Sequence, residues 1–186
     1  MPKGEQKLLL QLARRAIDYY SQTGNYLKIN QSKIPVTLKE KRGCFVTLTI
    51  NKKLRGCIGY LEGQNELWQD IEHNAVSAGF EDPRFQPLSQ KEIPLITIEI
   101  SILSQPQLVK QHLNDELLTY LKNNRPGVIV KQDFRQATYL PQVWEDIPDP
   151  VEFLTNLCHK AGLPDETWKE GTTEIYTYEA EYFKEK

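Results

Sequence analysis

The sequence predicts an α/β fold of the mixed, α+β kind, a largely antiparallel sheet flanked by helices. Apolar residues at helical spacing near the start, β-branched alternating segments in the first half, and a fully punctuated helix beginning at Asp149 together point to it. Leu8, Leu9, Leu12, Ala13, Ala16, Ile17 and Tyr20 recur three and four residues apart, and Gly24 follows. This spacing predicts an amphipathic helix from about residue 5 to 22 whose role is packing. Gly43 to Ile50 alternates, Asn51-Lys52-Lys53 turns, and Leu54 to Tyr60 returns as the second strand of a hairpin. Its register stays open. A two-residue turn at Lys52 and Lys53 sets Cys57 opposite Leu48, on the face of Val46 and Ile50, whereas a three-residue loop sets it opposite Thr47.

Leu67, Ile71, Ala75 and Ala78 make an apolar stripe from Asn65 to about Ala78, leaving Asp70, His73, Asn74 and Ser77 on flanking faces of a second helix that ends near Gly79. Pro83 drives Asp82 out of helical conformation, and Pro87 and Pro94 keep the chain irregular until Ile96. Ile96, Ile98, Ile100 and Ile102 then alternate with Thr97, Glu99 and Ser101, a strand with one buried and one polar face. Asn114 caps a helix through Leu117, Leu118 and Leu121, and Gly127–Val130 pairs with Ala137–Leu140 around Asp133 until Pro141 closes the second strand. Asp149-Pro150-Val151-Glu152 joins a cap, a first-turn proline and an acid, so a helix runs to Ala161 and stops at Gly162. Ile175 to Phe183 alternates as one last strand. With no repeat, low-complexity tract or linker, residues 1–186 are expected to form one globule.

A composition of 39% hydrophobic and 26% charged residues over 186 positions is that of a globular protein with a sizeable core. No apolar run reaches the roughly 18 residues that span a bilayer, and no signal-peptide pattern opens the chain, so a cytoplasmic location is expected. Cys44, Cys57 and Cys158 are too few and too scattered for a disulfide framework, which predicts three thiols. No closely spaced His and Cys set, phosphate-cradling loop or dinucleotide fingerprint is present, so neither a metal nor another cofactor is expected. The net charge of −2 conceals 12 Lys and Arg against 3 acids in residues 1–60 and 11 against 22 thereafter. These charges are interspersed with apolar positions, which favours a solvated surface over a nucleic-acid face.

The chemistry-bearing residues cluster in Arg55-Gly56-Cys57-Ile58-Gly59 and Asp82-Pro83-Arg84-Phe85. On a regular strand Arg55 and Cys57 share a side, and a guanidinium beside a thiol favours its thiolate. Gly56 and Gly59 let a ligand or another backbone approach Cys57; the alternative is a packed cysteine between packing glycines. His73, with Asp70 one turn earlier, is a candidate base for Cys57 or a solvated helix residue. Arg84 binds a carboxylate or phosphate, or staples its own loop to Asp82. Glu99 is an acid, a base or a counter-ion for Arg55 or Arg84.

Leu54-Arg55-Gly56-Cys57-Ile58-Gly59, followed by His73-Asn74-Ala75-Val76, Asp82-Pro83-Arg84-Phe85, Glu99-Ile100-Ser101, Leu140-Pro141-Gln142-Val143 and Lys160-Ala161-Gly162-Leu163, resembles the AMMECR-one domain family, called AmmeMemoRadiSam system protein A in bacteria. The resemblance covers nearly the whole chain. It implies a sheet-and-helix part with a smaller subdomain packed against it and the signature near the cleft between them. It also implies a Memo-like protein and a radical S-adenosylmethionine protein as partners. Tyr60, Gly79 and Glu81 depart from residues common in the family. Two function classes follow. One is a site with Cys57, His73 and Glu99 as candidate catalytic residues, and Arg55, Gly56, Gly59, Asp82, Arg84 and Phe85 as substrate-binding ones, acting on a small anionic or carbonyl metabolite. The other is a non-catalytic adaptor that docks one of those partners, with a nucleic-acid module a distant third.

Overall fold

A computed structural model describes residues 1–109 and 114–185, the side chains of Lys33 and Asn114 excepted. The cap expected at Asn114 therefore lies outside the described residues. In chain order the described elements are α1 (Lys3–Thr23), β1 (Cys44–Ile50), β2 (Lys53–Tyr60), α2 (Leu67–Phe80), β3 (Thr97–Leu103), β4 (Gln107–Leu108), α3 (Asn114–Asn124), β5 (Gly127–Gln132), β6 (Arg135–Tyr139), α4 (Pro150–Lys160), β7 (Glu174–Tyr178) and β8 (Ala180–Lys184). The class is the expected mixture of helices and antiparallel strands, with the strands divided between two sheets instead of one. The chain divides into two compact units, Met1–Leu103 with Glu181–Lys186, and Ser104–Ala180.

The first unit is a sheet of order β2-β1-β3-β8 with both its long helices on one core. Leu9, Leu12, Ala13, Ala16 and Ile17 of α1 are buried, and the helix ends where Gly24, at φ 67°, donates its N–H to Tyr20 O. Helix α2 packs on α1 and on β1 and β2, so Ile71, Ala75 and Ala78 meet Val46 and Leu48 of β1 and Ile98 and Ile100 of β3 in that core. Each fully buried Leu or Ile in such a layer contributes about 1.5–3 kcal/mol. The flanking face expected for Asp70 and Asn74 is corrected, since both are buried. Asp70 accepts the N–H groups of Gln64 and Asn65 and so fixes the entry turn of α2.

The hairpin settles the register. Its turn is a two-residue one at Asn51 and Lys52, whose φ angles are 50° and 64°, one position earlier than expected. Ile50 then pairs with Lys53 and Thr49 with Leu54, but Leu48 pairs with Gly56, which leaves Arg55 as an extra residue in a bulge. Downstream of the bulge Thr47 pairs with Cys57, so Cys57 lies on the sheet face away from Val46, Leu48 and α2.

The second unit pairs its strands in the order β4-β7-β5-β6 around a core that includes Leu117, Val130, Phe153, Leu157, Trp168 and Ile175. Trp144 stacks on Phe153 with ring centroids 3.7 Å apart and donates from Nε1 to Pro126 O at 2.7 Å. Helix α4 is bounded as its residues predict: Asp149 accepts from Val151 N and Glu152 N, and Gly162 adopts φ 72° beyond its end. The expected single last strand is instead two, β7 in the second sheet and β8 in the first. At the break, Glu179 accepts from Ser104 N at 2.8 Å and donates its own N–H to Ser104 Oγ at 2.9 Å. Among the described residues no helix is long and apolar enough to cross a membrane.

Candidate functional site

Strand β2 lies at an edge of its sheet, and opposite Thr47 the bulge turns Cys57 to the face that carries Thr47 and Glu99. Thr47 pairs with Cys57 on one side and with Glu99 on the other, so thiol, hydroxyl and carboxylate side chains stand in one row across three strands. Thr47 Oγ1 donates to Cys57 Sγ at 3.2 Å, and both Cys57 and Glu99 are half-buried.

At an edge strand the outward N–H and C=O need partners from elsewhere. Asp82 supplies one: its Oδ2 accepts the N–H of Cys57 at 2.9 Å. Arg84 supplies the other, donating from Nη2 to Cys57 O at 3.1 Å. The two residues are locked to each other, with Arg84 Nε on Asp82 Oδ1 at 3.0 Å and Nη2 on Oδ2 at 2.7 Å. Those guanidinium hydrogen bonds first, and the N–H of Cys57 after burial's opposing effect, hold the Asp82 carboxyl down at about 2. Asp82 is buried at 4% exposure while the Arg84 side chain is 53% exposed, so the clamp has a sealed anion and an accessible cation. Arg84 Nη1 makes no hydrogen bond among the described residues.

Arg55 does something different from what regular alternation predicts. Sitting in the bulge, it does not share the face of Cys57; its Nε bonds Glu92 Oε1 at 2.8 Å and its Nη2 bonds Gln86 O at 2.8 Å. Glu92 also accepts from Ser89 N and Ser89 Oγ, and Arg55 first, then Ser89, hold its carboxyl at about 2. The guanidinium that the fold brings to Cys57 is that of Arg84. Phe85 is in contact range of both arginines, with its ring centroid 5.8 Å from Arg55 Cζ and 5.6 Å from Arg84 Cζ. Arg55 Nη1 is buried and has no hydrogen-bond partner among the described residues.

The remaining candidates separate. His73 is exposed on α2 and stacks on Tyr26 with ring centroids 4.5 Å apart. Because α2 covers the face opposite Cys57, His73 is not a base for that thiol, and Asp70 is occupied by the entry turn instead of orienting it. Gly56 faces α2: a Cβ there would lie 2.0 Å from Ala78 O, so its missing side chain serves helix packing and not ligand approach. Gly59 pairs with Phe45, whose ring occupies the space where a Cβ would stand. Cys44 and Cys158 are buried thiols, and burial pushes Cys44 up to about 12. Among the described residues no group of three or more His, Cys, Asp or Glu is placed to hold a metal ion. Thr47 stands opposite Cys57, the register that a three-residue loop would have given, reached here through the bulge, and Glu92 carries site geometry that no motif in the sequence marks.

The AMMECR1 family model matches residues 10–183. A protein of Thermofilum pendens is 36% identical, covering 97% of this chain and 90% of its own length. One from Methanocaldococcus jannaschii is 41% identical, covering 87% of this chain and 83% of its own. The crystal structure of an uncharacterized protein from Pyrococcus horikoshii superposes with a TM-score of 0.88 at 35% identity, covering 96% of this chain and 90% of that one. With a family model spanning almost all of its length and relatives matched over most of both chains, the chain belongs to the AMMECR1 family.

Proposed function

We propose that the Cys57 face of the first sheet binds a small carbonyl or monoanionic metabolite, with Arg84 as its polar anchor and the Cys57 thiol as the group it meets. One observation carries this reading: the half-exposed Arg84 guanidinium is immobilised by Asp82 beside Cys57, and no further bond from its Nη1 is seen among the described residues. A donor held in place loses little entropy on binding, which is what a binding site for a small ligand needs. The charge on Arg84 is already balanced by Asp82, so a carbonyl oxygen or single carboxylate suits it better than a polyphosphate. Thr47 and Glu99 complete the row as a donor to the thiol and a carboxylate. Thiols kept reduced belong with an intracellular setting.

Docking is the second reading, favoured by exposed Leu54 and Tyr60 at the two ends of the edge strand β2. A Memo-like or a radical S-adenosylmethionine protein would be the partner there. Amide NMR shifts during titration with a panel of small carboxylates, 2-oxo acids and inorganic phosphate test the first reading. Carboxylates or 2-oxo acids should move Thr47, Cys57 and Arg84 together, and Arg84→Lys should weaken the effect. A panel that leaves these amides unmoved, while a purified partner protein broadens Leu54 and Tyr60, turns the assignment to docking.

A further inference from the structure

Away from the Cys57 face, the first unit carries a groove of about 1340 Å³ along α1, closed by Lys28, Ile29, Asn30 and Ile34 and by the end of β8. Its apolar lining includes Leu8, Leu12, Ile29, Ile34 and Phe183. Its rim is cationic: Lys3, Lys7, Arg15, Lys28 and Lys184 are all exposed, and none has an ion-pair partner among the described residues. Glu185 is the one acid in the lining, and it is spent on Arg14 at 2.5 Å, with Arg14 also bonded to Ile93 O and Ile96 O. Five exposed cations without an ion pair among the described residues ring one groove, in a chain whose net charge is −2.

We infer that this groove docks an acidic amphipathic segment of a partner protein, its apolar face on the floor and its carboxylates on the rim. Three features select that occupant. From Lys3 to Arg15 the rim follows about 18 Å of helix, at 1.5 Å per residue, which matches roughly three turns of a docked helix and exceeds a small anion. The floor is aliphatic apart from Phe183, itself only 9% exposed, so no aromatic platform is offered to stack nucleobases. The apolar side chains are buried or half-buried while the charges are exposed, whereas an interfacial membrane surface projects its apolar side chains into the lipid. Charge on both walls then steers an acidic partner to the groove and sets its orientation. The inference is independent of the Cys57 reading because no residue is shared.

The test is fluorescence anisotropy of a labelled 16-residue peptide with leucines on one helical face and glutamates on the other, titrated with the full chain. A peptide of the same composition in scrambled order, a thymidine oligonucleotide and phosphatidylglycerol vesicles run in parallel. The ordered peptide should bind more tightly than the scrambled one and weaken as salt rises. The triple variant Lys7→Glu, Arg15→Glu, Lys28→Glu should lower its affinity at least tenfold with an unchanged melting temperature, since all three residues are exposed. Leu8→Gln, on the floor, should weaken the ordered peptide and leave the scrambled one unaffected. Equal binding of ordered and scrambled peptides, no loss in the triple variant, or tighter binding of the oligonucleotide or vesicles than of the ordered peptide overturns the inference.

Discussion

Asp82 accepts the backbone N–H of Cys57 at 2.9 Å, so a loop carboxylate stands where a neighbouring strand would hydrogen-bond the sheet edge. Arg84 completes the substitution by donating to the carbonyl of the same residue. Asp82-Pro83-Arg84 works as a side-chain clamp on one residue of an edge strand. Proline between the two is fitting because it fixes the backbone and keeps Asp82 out of the preceding helix. The clamp thereby gives a defined position to the thiol whose backbone it grips.

The clamp should appear in the acid limb of stability. The Asp82 carboxyl sits at about 2 in the folded chain, below the unfolded value of about 3.9. A lowered folded value contributes stability that is complete above roughly pH 4 and is lost as the pH falls through 4 toward 2. Asp82→Asn should cost on the order of 1–2 kcal/mol at pH 7 and almost nothing at pH 2. Urea unfolding at pH 7, 4 and 2 measures this, and a variant as stable as the parent at pH 7 would remove the clamp from the energetics.

Gly56 is the packing hinge of the signature. Its Cβ position lies 2.0 Å from Ala78 O, and the obstacle is helix backbone, which cannot swing aside as a side chain can. Gly56→Ala should therefore push α2 off β2 and destabilise by about 3 kcal/mol or more. Denaturant midpoints of purified protein decide it; a loss below about 0.5 kcal/mol contradicts the contact.

Local structure was legible in the residues wherever periodicity and punctuation agreed. Helix α1 with Gly24, the β5 and β6 hairpin around Asp133, and α4 between Asp149 and Gly162 all follow their sequence signals. The site was legible as a place but not as a geometry. A single extra residue at Arg55 moves Cys57 to the other face, and nothing in a run of alternating residues marks a bulge. The same limit explains the split of the last strand. Alternation from Ile175 to Phe183 continues across Glu179, and alternation alone does not say which sheet a strand joins. Helical periodicity puts Asp70 and Asn74 on a polar flank because burial of a polar residue depends on partners, such as Gln64 N and Cys44 O, that lie outside the helix.

The three thiols should separate cleanly by reactivity. Burial first, and then the charge of Asp70, pushes Cys44 up to about 12, and burial raises Cys158. Cys57 alone is half-exposed. Iodoacetamide at pH 7.5 should label Cys57 first, with Cys44 and Cys158 slower by at least tenfold until denaturant is added. Peptide mapping of a time course gives the order, and early labelling of either buried cysteine would contradict the core packing.

Which arginine acts on the Cys57 thiol is the sharper question, because regular alternation nominates Arg55 and the bulged register nominates Arg84. Arg55 is engaged by Glu92 and Gln86 O, whereas Arg84 bonds the carbonyl of Cys57 and is itself raised, after larger causes led by Asp82, by attraction to that thiol. A neighbouring positive charge favours the thiolate that alkylating agents attack. Removing the charge with Arg84→Gln should therefore slow alkylation of Cys57 near neutral pH several-fold. Arg84→Lys, which keeps the charge but not the two-pronged bond to Asp82, should recover most of the rate. Arg55→Gln should leave the rate within about twofold while lowering stability through Glu92, whose carboxyl loses its main partner. Rates measured from pH 6 to 9 distinguish a change in thiolate supply, which fades at high pH, from a change in access, which does not. If Arg55→Gln slows the thiol as much as Arg84→Gln does, the bulge has not separated the two residues, and the regular-strand pairing of Arg55 with Cys57 is restored.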